Sequence, residues 1–511
     1  MNQKYLMILE VSQKQAYIFS SNKLKDNVRN SGIIEYVTSN EYFETFSGYN
    51  KSNMVYSGGG HTVLVFESRE QAVEFAKKVT KNVKEQFHGI EYFVKVIPLE
   101  VAPNEAILEL SKQLEKKKSL RKNAFEQVDV GYGFCREPMK LNMQFGDYTS
   151  LMPEGYHYIN ELSDLGGIKG ECNFIAVVHI DGNAMGERIQ TLAKEKLNGL
   201  EWEDYRQELQ KFSSGIDKDF KTAFKNMLKI VAKNMENEEI KQHFDIKDKV
   251  LPIRPIILAG DDICFIAEGR IGVEASAIFL EELSKIKNEV DNKTYTGCAG
   301  ICIVHNKYPF YKAYELAEEL CSAAKKETTK QYDTREISAI DWHIEYGELH
   351  ENIEQMKSTY ETLDGHHLQL KPYAIYNGEK DKMIEGIRSY KEFCDLMDRL
   401  LNSEERIARS KLKELRNIFK QGEEVSKNYI EVNGLSEIFT YRNKKFYEEI
   451  YQYNDIKEGM EQYKNNKFKL KDLFYNIADT QQKDKRNIFF DGIEMMDCFI
   501  KLGRGDDRDE N

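Results

Sequence analysis

Apolar and polar positions along the chain fall into two stretches of the same order, followed by one of different character. Tyr5–Ser12 (YLMILEVS) is apolar almost throughout and of strand length, which predicts a buried strand. A polar segment, helical in part, runs on to Glu44. Met54–Phe66 (MVYSGGGHTVLVF) divides into two short apolar runs around Ser57-Gly58-Gly59-Gly60, the pattern of a β-hairpin. In Ser68–Phe87 apolar residues recur at helical spacing, and Ser68 stands three residues before Gln71 as in a capping box. Ile90–Leu99 predicts a further strand. The order is β, α, β-hairpin, α, β.

That order recurs, which reads as an internal repeat of architecture with little residue identity. Phe174–Ile180 (FIAVVHI) predicts a buried strand, Glu187 to about Glu239 a helical stretch, and Ile253–Phe265 (IRPIILAGDDICF) two apolar runs around a turn. Val273–Asn288 predicts a helix, Thr296–His305 a strand and Pro309–Lys326 an amphipathic helix. Each half is expected to be a small antiparallel sheet with helices on one face. Between them lie a basic helix, Asn104–Gln127, and a connector, Val128–Glu171. After Lys371-Pro372-Tyr373 the pattern is charge-rich with apolar residues three and four apart, which predicts an all-helical domain through Leu502. The tail Gly503–Asn511 has the composition of a disordered segment. The division expected is 1–103, 104–171, 172–373, 374–502 and 503–511, in keeping with about three domains for 511 residues.

Composition narrows the function classes. The chain is 41% hydrophobic and 31% charged, and it contains no run of eighteen apolar residues, so a membrane span is not expected. Glu10 interrupts the first apolar run too early for a signal-peptide core, and a cytoplasmic protein is the expectation. A net charge of -12 argues against nonspecific nucleic-acid binding over the whole surface, while leaving room for a local basic groove. The eight cysteines (135, 172, 264, 298, 302, 321, 394 and 498) form no C-x-x-C pair. Cys298 and Cys302 share one face of a predicted strand and read as buried apolar thiols, so no zinc site is expected.

The candidate chemistry sits in Gly260-Asp261-Asp262, between the apolar runs Ile256–Leu258 and Ile263–Phe265. Two carboxylates at such a hairpin tip are costly unless a cation compensates. Mg²⁺ favours one or two carboxylates plus substrate phosphates. Asp181 ends the apolar strand VVHID, and if that strand neighbours the hairpin, Asp181 faces Asp261 and Asp262. Three converging carboxylates suit two metal ions that activate a hydroxyl and neutralise a transferring phosphate. Asp-Asp is also ordinary turn chemistry. Gly505-Asp506-Asp507 in the tail repeats the tripeptide without flanking strands and is assigned no function. Ser57–Gly60 holds the corresponding place in the first half; its glycines can offer backbone N–H groups to phosphate but bind no metal. Its other reading is a purely structural turn.

HIDGNAMG (His179–Gly186), LAGDDICF, AGICIVHNKYPFYKAYELAEELCSAAKK (Ala299–Lys326), AIDWHI (Ala339–Ile344) and KPYAI (Lys371–Ile375) resemble the second palm domain of the large polymerase/cyclase subunit of type III CRISPR effector complexes. LEVSQKQAYIFSSNKLKDN and YSGGGHTVLVF resemble its first palm, and IARSKLKELRNIF (Ile407–Phe419) its C-terminal helical domain. The resemblance implies an α+β fold with two tandem ferredoxin-like palms, related to GGDEF-type cyclases, plus a helical domain. It implies conversion of ATP to cyclic oligoadenylate for antiviral signalling, with Mg²⁺ or Mn²⁺ on Asp181, Asp261 and Asp262. Asn183, Gly186, Gly260 and Lys325 would then lie by the nucleotide, with Lys325 on the triphosphate. RNA and other CRISPR subunits are the partners implied for the helical domain, and a downstream effector for the product.

Four departures stand out. Asn183 replaces a second carboxylate that the family often carries, and Ala259 replaces the first glycine of the family's GGDD turn. No histidine is followed by Asp, so the family's N-terminal His-Asp nuclease is not expected, and Cys135 and Cys172 are too few for its zinc element. Two competing readings remain open: an RNA- and protein-binding scaffold with a vestigial cyclase site, and a diguanylate cyclase proper. Two unequal palms in one chain suit the homodimeric chemistry of the second poorly.

Overall fold

A computed structural model describes residues 3–120, 145–165, 173–247, 249–331, 337–347, 353–375, 389–402, 408–439, 473–476 and 485–504. The first half runs β1 (Tyr5–Ser12), α1 (Lys14–Ile18), α2 (Leu24–Val37), α3 (Asn40–Phe43), the hairpin β2 (Met54–Gly58) and β3 (His61–Phe66), α4 (Arg69–Gln86), β4 (Glu91–Pro98) and α5 (Pro103–Ser119). After a short β5 (His157–Tyr158) come β6 (Phe174–Gly182), α6 (Met185–Glu195), α7 (Trp202–Met235), α8 (Glu238–Lys241) and β7 (Val250–Leu251). The hairpin β8 (Ile253–Ala259) and β9 (Asp262–Glu268) leads to α9 (Gly272–Ser284), β10 (Gly297–His305) and α10 (Phe310–Gln331). Then follow β11 (Ser338–Glu345), α11 (Ile353–Ser358), β12 (Tyr373–Ile375), α12 (Tyr390–Asn402), α13 (Arg409–Lys420), α14 (Glu423–Val432), β13 (Phe474–Asn476), β14 (Lys485–Asn487) and a last helix, Phe490–Met495.

The first sheet has the order β2-β3-β1-β4 and the second β12-β11-β10-β6-β9-β8. Numbered within each half, both read 4-1-3-2, the ferredoxin-like palm topology, so the repeat seen in the hydrophobic pattern is a repeat of strand order. In each, the first strand lies antiparallel between the third and fourth. The second sheet is extended by β11, parallel to β10, and by β12.

The central strands are apolar throughout because both their faces are covered. Leu6 and Ile8 of β1 pack in one core with Leu110 of α5 and Phe212 of α7, whereas Met7, Leu9 and Val11 pack in another with Phe75 and Val79 of α4. Both cores continue into the second sheet. Helix α7 presents a buried stripe at three-and-four spacing, including Leu209, Phe212, Ile216, Phe220, Ala223, Phe224 and Met227, and touches β2 on one side and α9 and β8 on the other. Buried Arg206 fixes this docking by donating to the Met54 carbonyl at 2.9 Å. The predicted cap of α4 forms, with the Gln71 N–H donating to Ser68 Oγ at 3.2 Å.

Some expectations are refined. The helical stretch from Glu187 divides into α6 and α7 at a connection that contains Gly199 at φ +80°, a conformation that suits glycine. The segments AIDWHI and KPYAI supply the added strands β11 and β12. In the region read as all-helical, β13 and β14 form a small antiparallel pair. There the side chain of Asp491 is buried and accepts from Leu370 N (2.9 Å), Lys371 N (3.2 Å) and Tyr373 Oη (3.0 Å), tying the last helix to β12. The Asn104–Gln127 expectation is met by α5 as far as Ser119, and residues 121–127 lie outside the described residues. So do 128–144 and 166–171 of the connector, Cys135, Cys172 and the tail after Arg504. Among the described residues no helix is long and apolar enough to cross a membrane.

Candidate active site

The second sheet brings the predicted carboxylates to one end. In the register Asp181 of β6 stands directly opposite Asp262 of β9, and Asp262 pairs in turn with Ala259 of β8, leaving Gly260 and Asp261 as a two-residue turn. Gly260 has φ +69°, which a glycine adopts without strain. The Gly182 N–H donates to the Asp261 carbonyl at 3.2 Å, and Asp217 of α7 accepts from the Gly260 N–H at 3.2 Å. A Cβ on Gly182 would come within 2.8 Å of the Asp261 Cβ, so the close approach of strand and turn needs a glycine there. Residues opposite one another on antiparallel strands share a face, and like charges so placed repel. Burial first, and then the Asp181 charge, push Asp261 up to about 6 and Asp262 up to about 7.

Helix α10 lies over this face. Its Lys325 donates to Asp181 Oδ2 and, at 2.8 Å, to the Gly182 carbonyl. Lys325, expected on the triphosphate, here holds the end of β6. Three further groups close around the acids. His179, two residues before Asp181 and buried, has Nδ1 3.6 Å from Asp262 Oδ1 and 3.4 Å from the Tyr314 hydroxyl. Glu318 is a fourth carboxylate; burial raises its pKa, His179 pulls it down, and Asp262 and Asp181 push it up. Lys14, the first residue of α1, donates to the Gly59 carbonyl, and its charge favours the ionised form of Asp262. The first half thus reaches the acidic end of the second.

None of these groups was singled out in sequence, although signals exist. His179 shares the strand face of Asp181 by the period of two, and Tyr314, Glu318 and Lys325 follow a 4-and-7 spacing that puts them on one side of a helix. Lys14 gives no such signal.

The remaining predicted residues are placed as follows. Asn183 is buried, and its Nδ2 donates to Thr296 Oγ1 (3.2 Å) and the Ile337 carbonyl (3.0 Å), joining the loop after β6 to β10 and β11. It also lines a polar cavity of about 380 Å³ with Arg188, Lys287 and Lys293. A Cβ at Gly186, in the first turn of α6, would meet open space among the described residues. In the first half, Gly58 pairs with His61, and Gly59 and Gly60 form the turn with φ +57° and +78°. Ser57 Oγ donates to the Thr38 carbonyl at 2.7 Å.

The donor set fits Mg²⁺ or Mn²⁺. It is all carboxylate oxygen, the preference of hard cations, and Asp262 Oδ1 is fully covered yet accepts no hydrogen bond from a described residue. Among the described residues no three His, Cys, Asp or Glu side chains stand preassembled around one point; Asp181 is engaged with Lys325. The six described cysteines are buried free thiols.

Residues 174–333 match the family model described as Cas10/Cmr2, second palm domain, a span that encloses β6 through α10. No curated protein matches the chain. Among solved structures, a Csm1–Csm4 cassette in complex with pppApApA is 14% identical, over 79% of this chain and 62% of that one, with a TM-score of 0.47. The cassette in complex with cA4 is 15% identical over 64% of this chain, with a TM-score of 0.43. The apo cassette is 14% identical over the same share, with a TM-score of 0.44. This chain spans 53% of the length of the latter two. The palm topology around Asp181 and Asp262 coincides with the matched segment, and residues 174–333 accordingly form a palm domain like the second palm of Cas10/Cmr2.

Proposed function

We propose that the chain is a metal-dependent nucleotidyltransferase that joins nucleoside triphosphates, ATP foremost, into a cyclic oligonucleotide second messenger. The observation that carries this reading is the register pairing of Asp181 with Asp262, with Asp261 on the adjoining turn. In an ordinary sheet that juxtaposition is a defect; at a phosphoryl-transfer site it is the requirement. Asp181, Asp261 and Asp262 are the residues to hold Mg²⁺ or Mn²⁺, which supplies activation of an attacking hydroxyl and neutralisation of the transferring phosphate. His179, backed by Tyr314, orients Asp262. The first-turn N–H groups of α6, next to Asp181, face the phosphates, as helix N-termini do for anions. Lys325 lies within reach of the same phosphates.

Joining two nucleotides needs one triphosphate to be attacked and one hydroxyl to attack, so two nucleotides must meet. The second is assigned to Ser57–Gly60 of the first palm, whose turn Lys14 connects to the acidic end. The C-terminal helices are assigned to RNA and CRISPR-subunit contacts, and the product to a separate effector. The test is incubation of the purified protein, alone and in its RNA-bearing complex, with each NTP and Mg²⁺ or Mn²⁺, followed by mass spectrometry. Cyclic or linear oligonucleotide is the expected result. Nucleotide binding without product in either setting would leave a scaffold with a vestigial site.

A further inference from the structure

The two palms place the same three positions around different chemistry. In the first, Glu10 of β1 pairs in register with His61, the first residue of β3. In the second, Asp181 of β6 pairs with Asp262, the first residue of β9. A lysine closes each carboxylate from the helix after the fourth strand: Lys118 of α5 meets Glu10 at 2.8 Å, and Lys325 of α10 meets Asp181. Each lysine stands twenty residues past the end of its fourth strand, Pro98 to Lys118 and His305 to Lys325. The lysine–carboxylate contact is therefore a feature of the palm repeat itself, independent of whether the site carries an acidic turn.

What differs is what lies opposite. His61 adds no negative charge opposite Glu10, and Lys118, which also meets Glu115 at 2.7 Å, faces no further acid from the strand pair. Asp262 and Asp261 add two carboxylates that one ammonium does not neutralise. Lys14, the other lysine whose charge favours the ionised form of Asp262, is itself held on the Gly59 carbonyl. A divalent cation entering at Asp181 meets a resident cation there, and the two cannot share the carboxylate without repulsion.

We infer that Lys325 is a built-in stand-in cation: it occupies Asp181 until nucleotide phosphates draw it away, so that metal and nucleotide load together rather than independently. This inference rests on the metal-dependent reading above and extends it to the order of loading. Lys325 and Asp181 are both only partly buried, with side chains 26% and 40% exposed, so solvent and ligand can reach the pair. Moving from Asp181 to a phosphate exchanges one anionic partner for another. Because coupling between two ligands is reciprocal, nucleotide should tighten metal binding by the same factor as metal tightens nucleotide binding.

The experiment is calorimetric titration of Mn²⁺ into the nucleotide-free protein and into protein saturated with a non-hydrolysable ATP analogue. Wild type should bind Mn²⁺ weakly alone and about tenfold or more tightly with the analogue, within the usual range of coupling. Lys325→Met should bind Mn²⁺ about tenfold more tightly than wild type without nucleotide and lose most of the coupling. Lys325→Arg, which keeps the charge, should restore the wild-type pattern, and Lys326→Met, the exposed neighbour, should not alter it. Asp262→Asn placed on Lys325→Met should remove the gained affinity, which locates the bound ion. Mn²⁺ binding that Lys325→Met leaves unchanged or weakens overturns the inference while sparing the metal reading. Absence of Mn²⁺ binding in every variant, with and without the analogue, overturns both.

Discussion

Asp181 and Asp262 face each other across a strand pair with Asp261 beside them, an arrangement that folding alone disfavours. Replacing Asp261 and Asp262 together by Asn removes that repulsion while keeping the shape of the turn. In chelator-treated protein at pH 8 the double variant should melt at the wild-type temperature or about 1–3 °C above it. Its nucleotide turnover should be abolished. Undiminished product would sink the assignment, and a large fall in melting temperature would show that the acids serve the fold. The three aspartates were legible in sequence because carboxylates at the ends of apolar strands are costly, and cost of that kind marks a site. For His179, Tyr314 and Glu318 the local periods mark only the face each residue lies on, and Lys14 has not even that signal; their relation to the acids is set by register and by helix packing between distant segments. Tyr314 lies 135 residues from the histidine it touches, and no local period reports such a contact.

Elements position these residues, and their contacts can be tested away from the chemistry. Helix α10 carries Tyr314, Glu318 and Lys325, and it lies against β10 at Gly300. A Cβ there would stand 2.0 Å from the Ala317 carbonyl oxygen and 2.4 Å from the Cys321 nitrogen, both backbone atoms of the helix. Gly300→Ala must therefore lift α10 from the sheet. It should cost about 1–3 kcal/mol or more in denaturant unfolding, as overpacking does, and lower turnover in the folded fraction although Gly300 is paired with none of Asp181, Asp261 and Asp262. Wild-type stability in this variant would show that the helix is free to move. At the other edge of the sheet, burial pushes the Asp491 carboxyl up to about 6. The native state then holds this proton at pH values where the unfolded chain has released it. The stabilisation is present below about pH 4 and lost as pH rises through 6. Asp491→Asn lacks this dependence, so its melting temperature relative to wild type should climb between pH 4.5 and 7; a constant difference would contradict the shift. Hydrophobic periodicity gave the element order of both palms because each strand is covered on two faces and each helix on one. It missed the break between α6 and α7, and it left β11 and β12 without a strand assignment. The pairing of β11 with β10 is a parallel, long-range contact that no turn announces.

At the scale of the whole molecule, the two palms are docked so that α7 lies against both sheets and α1 of the first reaches α10 of the second. Phe19 packs on Phe310 and Tyr314 across that junction, at centroid distances of 5.2 and 4.2 Å. Lys14 holds the glycine turn of the first palm, and its charge favours the ionised form of Asp262 in the second. If the glycine turn borders the second nucleotide, its lack of side chains is what admits the phosphates. Gly59 is the position to test, because the nearest atom to an added Cβ is His61 Nδ1 at 3.9 Å. A side chain there meets no protein atom closely, in contrast to Gly60, where it would come within 2.9 Å of Lys14 Cδ and 3.0 Å of Ile34 Cγ2. Gly59→Leu therefore carries the strain of a left-handed residue, about 1–2 kcal/mol, and little else if the turn is purely structural. With a nucleotide beside it, the same change should weaken binding of a non-hydrolysable ATP analogue at the first palm about tenfold and slow the first coupling. Mn²⁺ binding at Asp181, Asp261 and Asp262 should persist. Gly59→Ala separates strain from bulk, since it shares the backbone cost and leaves most of the space. Lost stability in both variants, with unchanged analogue affinity in the folded protein, would reject the first palm as a nucleotide site and leave its glycines as turn formers alone.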